Sequence, residues 1–198
     1  MKIDNTGPLE YSTNQNQMNI LGFWIFLGAE IMLFGTLFAS YFTLENGVGS
    51  GPSGAEVFEI TPVLLETIIL LTSSFTIGLA THAMRINHKK ATLVFLGITL
   101  LLGLSFLSVE IYEFIHYYHV GLTLQTSAFS AILLTTLGTH GAHVTFGLFW
   151  GLFIFLQIKK RGFTPETTNK SFIFSLYWHF LDVVWIFIFS FIYLKGMM

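Results

Sequence analysis

Five stretches of the chain stay apolar for about the length that a membrane crossing demands, and short polar segments separate them: 20–44, 62–84, 91–116, 127–158 and 171–194. Crossing a hydrocarbon layer about 30 Å thick takes about 20 predominantly apolar residues as helix. Lipid offers no partners to backbone N–H and C=O groups, so apolar runs of this length must be helical. The pattern predicts an all-α, polytopic membrane protein: a polar N-terminal segment, 1–19, followed by a five-transmembrane-helix bundle, 20–198. The fourth run is long enough to tilt or to open with an interfacial turn.

Polar residues between the runs give the direction. With the N-terminus inside, the inner segments hold Lys2, then Arg85, Lys89 and Lys90, then Lys159, Lys160, Arg161 and Lys170, whereas the outer segments hold only Lys195. The first outer loop carries Glu45, Glu56 and Glu59 with no Lys or Arg, and the second has no formal charge. This asymmetry predicts N-in, C-out. "MKIDNTGPLEYSTNQNQM" shows no basic, apolar and small-residue order of a cleaved signal, so the first run is expected to act as an uncleaved insertion signal.

Composition narrows the chemistry. The chain is 53% hydrophobic, 17% aromatic and 10% charged, with no cysteine and a formal charge of −2. Thiolate metal sites, disulfides and a cysteine nucleophile are excluded, and nothing suggests nucleic acid as a partner.

Polar residues inside the runs are the candidate site. Counted from the basic ends at about 1.5 Å per residue, Glu30 lies about 14 Å deep, His179 about 12 Å and Asp182 about 16 Å, with His140 and His143 at comparable levels. A second set, Glu66, Glu110 and Glu113, falls toward the opposite ends, followed by His116 and His119; His82 falls at the inner interface. Glu66, about one turn inside, is expected to snorkel.

E-x-x-E, H-x-x-H and H-x-x-D each put two ligand-type side chains on one helical face, which admits a metal centre of the kind built in helical bundles. Intramembrane carboxylates and histidines also mark proton or ion paths. The third reading is a structural lock, in which His179 and Asp182 hydrogen-bond to Glu30, His140, Ser73, Ser74 or Thr139 and fix helix register. Small residues at Gly22, Gly28, Gly35 and Ala39, and at Gly138, Gly141, Ala142, Gly147 and Gly151, predict close helix packing, chiefly within the chain but also against another membrane subunit.

"LGFWIFLGAEIMLFGTLFASYF", "GITLLLGLSFLSVEIYEF", "LGTHGAHVTFGLFW" and "SLYWHFLDVVWIFIF" together resemble subunit III of the haem-copper respiratory oxidases, in an order that covers nearly the whole chain. The chain is similar to the short, five-helix form, and "PLEYSTNQNQMNILGFWIF" is most similar to menaquinol oxidases of Bacillus-like bacteria; cytochrome c oxidases there use closely similar subunits.

The resemblance implies a bacterial cell-membrane complex that oxidises quinol, reduces O2 to water and pumps protons. Haem and copper would lie in subunit I, and this chain would hold no redox centre, no metal and no catalytic residue. It implies partners in subunits I and II and a small subunit IV, bound phospholipid, and roles in stabilising subunit I and supporting proton uptake. Glu30 matches the carboxyl that reacts with hydrophobic carbodiimides in relatives. Glu66 departs from the mitochondrial-type sequences, so no role carries over to it. A free-standing proton or ion transporter is the reading from another class.

Overall fold

The computed structural model describes residues 8–49, 51–52 and 54–197; Lys2 and the side chain of Glu56, both used above for orientation, lie outside what is described. After a 3-10 turn at Leu9–Tyr11 come α1 (Asn14–Leu44), the short α2 (Gly54–Val57), α3 (Ile60–Arg85), α4 (Lys89–His119), α5 (Ala128–Arg161) and α6 (Pro165–Ile188). A single wide turn at Phe189–Leu194 continues α6. The five long helices are each long and apolar enough to cross a membrane, and no strand occurs among the described residues.

Helix boundaries follow from capping. Thr13 accepts from Asn16 N–H to start α1. Ser127 with Ser130, and Thr164 with Thr167, form reciprocal capping boxes at the starts of α5 and α6, the latter with Pro165 at the first helical position, where its missing N–H costs nothing. α5 ends at Gly162, whose φ of 71° a β-carbon would disfavour. Because caps satisfy the terminal N–H groups, the helices begin outside their apolar cores; α1 starts at Asn14 and α6 at Pro165.

α3 and α4 form a hairpin, α5 packs on α4, and α6 lies against α1, α3 and α5. α6 therefore carries the broadest buried face, with Phe174, Tyr177, Trp178, Leu181, Trp185 and Ile188 all at 2% exposure or less. Two of its indoles donate into α3: Trp178 Nε1 to Ser73 Oγ at 3.0 Å and Trp185 Nε1 to Thr67 Oγ1 at 3.1 Å.

α1 is attached differently. Its buried apolar residues are Ile20, Leu27, Phe34 and Tyr41, a strict seven-residue interval, so it leans on α5 and α6 along one seam. The sequence led us to expect its glycines to pack chiefly within the chain. Instead, a β-carbon at Gly22, Gly28 or Gly35 would meet nothing within 4 Å, because the seam turns these residues outward. Gly147 and Gly151 of α5 do pack inward: a β-carbon at Gly147 would come within 3.1 Å of Tyr177 and Trp178, and one at Gly151 within 2.6 Å of Phe174, whereas one at Gly138 would touch only Phe114 at 3.9 Å and Ala142 is exposed.

The two ends of the bundle differ in chemistry. At one, Arg85 pairs with Glu10 at 2.8 Å, Asn16 donates to Pro165 O at 2.8 Å, and Lys89 donates to Lys159 O at 3.1 Å. At the other, Lys195 pairs with Glu45 at 2.7 Å. We call these the basic end and the loop end.

Candidate functional site

The inner residues picked from sequence, Glu30, His140, His143, His179 and Asp182, do not form one cluster. They divide into three groups because α6, α5 and α1 present them in different directions.

Glu30 of α1 meets His143 of α5, Oε2 to Nε2, at 3.1 Å. The contact is of ion-pair length but poorly aligned as a hydrogen bond, since Glu30 Oε2 has no hydrogen-bond partner. His143 Nδ1 is 2.7 Å from Thr139 O, four residues back, which holds the ring against the helix. Phe34 lies over that ring at 5.4 Å.

His179 instead turns to α3, where Nδ1 lies 2.7 Å from Ser74 Oγ. Asp182, on the same helical face, approaches the same hydroxyl, while its Oδ1 is buried without a partner. Of the partners considered from sequence, Ser74 is the one His179 takes.

His140 belongs with neither pair. It is wholly buried among Phe106 at 5.8 Å, Trp185 at 5.5 Å and Phe34 at 6.5 Å. Both its ring nitrogens lack protein partners.

The second set, Glu66, Glu110 and Glu113, is buried rather than peripheral: Glu66 has no exposed surface, and Glu110 and Glu113 are 4% and 6% exposed. Glu66 therefore does not snorkel. It faces α4, within electrostatic reach of both Glu110 and Glu113. Glu113 accepts from Tyr193 at 2.8 Å and from Tyr117 at 3.2 Å, whereas all four oxygens of Glu66 and Glu110 lack partners.

Glu110, expected from its position along α4 to lie apart from the inner histidines, instead reaches the residue beside His140. A β-carbon on Gly141, the residue after His140, would lie 2.7 Å from both Glu110 carboxyl oxygens. Gly141 is about 20 Å of helical rise from the start of α5, and Glu110 about 14 Å from the end of α4. They meet across the α4–α5 contact, where the Glu110 carboxyl reaches the bare backbone at Gly141.

The phenols of Tyr117 and Tyr193 and the indole ladder on α3 were not anticipated. Only Tyr117, four residues after Glu113, had a legible signal in its spacing. The same holds for buried Glu10, 1% exposed under Arg85, and for Asn169, which donates to Glu10 O at 3.0 Å and Asn16 O at 3.2 Å. Among the described residues, no three His, Asp or Glu side chains are grouped as metal ligands.

A bundle of five long apolar helices, with polar residues paired between helices, defines a multi-pass membrane protein. The model for cytochrome c oxidase subunit III matches residues 10–197, and the chain belongs to that family. It is 54% identical over 194 residues to the quinol oxidase subunit 3 of Bacillus subtilis (strain 168), covering 98% of this chain and 95% of the relative. It is 46% identical to the probable quinol oxidase subunit 3 of Staphylococcus saprophyticus, covering 96% and 94%. It is also 45% identical to the cytochrome c oxidase subunit 3 of Bacillus sp. (strain PS3), covering 96% and 92%. Family and helices together make it a multi-pass bacterial membrane protein.

Proposed function

We propose that this chain is a non-redox accessory subunit of a proton-pumping terminal quinol oxidase, one that oxidises menaquinol and reduces O2 to water. The observation that carries this reading is the 54% identity, over nearly the full length of both chains, to quinol oxidase subunit 3. Haem and copper reside in subunit I. Subunits I and II and a small subunit IV are the protein partners, and phospholipid is bound.

The bundle sits N-in, C-out, its basic end toward the cytoplasm. The Glu30–His143 and His179–Ser74–Asp182 contacts act as interhelical locks that keep the bundle in the shape subunit I requires. The open face of α1, with Gly22, Gly28 and Gly35 uncovered, suits the close approach of a partner helix.

Gentle detergent extraction tests the reading. The chain should co-purify with a haem-containing partner whose quinol oxidation decays faster when this chain is stripped away; recovery of the chain alone under those conditions overturns it. The second reading, a cytochrome c oxidase subunit, is favoured by the 45% identity to the strain PS3 protein. Assaying the purified complex with menaquinol and with reduced cytochrome c separates the two.

A further inference from the structure

Buried polar atoms without partners are rare in folded proteins, and those in native structures are commonly satisfied by internal water. Here most of them, among the described residues, belong to one group of side chains. Both oxygens of Glu66, both of Glu110 and both ring nitrogens of His140 are buried and unpartnered, on three neighbouring helices, α3, α4 and α5.

Glu66 lies within electrostatic reach of Glu110 and Glu113, and Glu110 rests on Gly141 beside His140. Trp185 ties the group together, donating to Thr67 next to Glu66 and packing on the His140 ring at 5.5 Å. From α6 and its wide turn the group is faced by Trp185 and Tyr193, and Tyr193 donates to Glu113.

A pocket adjoins the group. Of about 90 Å³, it opens at the loop end between the end of α2, the start of α3 and the end of α4, lined by Val57, Glu59, Pro62, Glu113, His116 and Tyr117. At about 30 Å³ per water, it has room for about three. Glu113 is shared: it lines the pocket and lies within electrostatic reach of Glu66 and Glu110. Phe106, edge-on to Trp185 at 4.9 Å, and Phe34 pack against the His140 ring at 5.8 and 6.5 Å.

We propose that the core between α3, α4, α5 and α6 is a blind hydrated channel, in which water enters from the loop end past Glu113 and bridges the carboxyls of Glu66 and Glu110 to the imidazole of His140. The bound species is water, and the channel gives these groups proton exchange with the loop-end side alone. The proposal stands apart from the choice of electron donor, because it concerns only this chain's interior.

Radiolytic hydroxyl labelling of the intact complex, with oxygen-18 water added before the pulse, reads it directly. The chain supplies its own control: Trp185 at 1% and Trp178 at 2% are equally buried, but only Trp185 borders the channel. Trp185 should take up label several-fold more than Trp178, and Glu66→Leu, in complex shown intact by co-purification and haem content, should bring Trp185 down to the Trp178 level. Equal labelling of the two tryptophans overturns the proposal. Unchanged labelling of Trp185 in intact Glu66→Leu complex does the same.

Discussion

Glu30 and His143, 113 positions apart, meet at 3.1 Å where α1 crosses α5, and this contact is the polar fastening at the middle of α1, whose start is tied to α6 by Asn16. Because the apolar seam buries only Ile20, Leu27, Phe34 and Tyr41 of α1, the middle of the helix has little else to replace it.

Removing either partner should therefore loosen α1 selectively. Glu30→Ala or His143→Ala is expected to cost on the order of 0.6 to 2 kcal/mol, the range for interhelical polar contacts in membranes. The measurement is cysteine cross-linking across the seam, at Leu27 for example, compared with a pair on the α3–α4 hairpin. Equal loss of cross-linking at both places would mean general unfolding and not a specific fastening.

Glycine substitutions should split by helix. Gly103→Ala would put a β-carbon 2.7 Å from the Trp178 ring and 2.9 Å from Leu148, an overpacking expected to cost about 1 to 3 kcal/mol. Gly28→Ala meets nothing in this chain and should leave its thermal stability unchanged in isolation. Retention of the partner subunit on a detergent column should fall for Gly28→Ala if α1 is the docking helix.

His179 and Asp182 converge on Ser74, inside the chain. Changing either to Ala should shorten activity over repeated turnovers, or weaken assembly, more than it lowers the initial rate. An intact complex that lost its first turnover would refute the locking role.

At the basic end, Arg85 covers Glu10 at 2.8 Å and lies over the Phe172 ring at 5.6 Å. Arg85→Ala should leave the buried Glu10 carboxyl without its counter-charge. Because Arg85 itself is 46% exposed, water screens the pair and the loss should be modest, about 1 kcal/mol. Limited proteolysis should show earlier cleavage ahead of α1, with the long helices still protected.

The number of spans, their helical nature and the family were legible in the residues, because a helix in lipid satisfies its own backbone and needs only length and apolarity. The heptad of Ile20, Leu27, Phe34 and Tyr41 was also present in the sequence as a pattern, but which side of α1 it committed to the bundle was not. Spacing along one helix correctly put Glu110 and Glu113 on one face. It could not say how α5 packs on α4, and that packing brings Gly141, the neighbour of His140, against Glu110. Likewise the choice of Ser74 for His179, of Tyr193 for Glu113 and of Thr67 for Trp185 depends on the rotation of α6 about its own axis, which the whole buried face from Phe174 to Ile188 decides together. One-dimensional periodicity thus determined what each helix is, and packing decided which polar residues share a space.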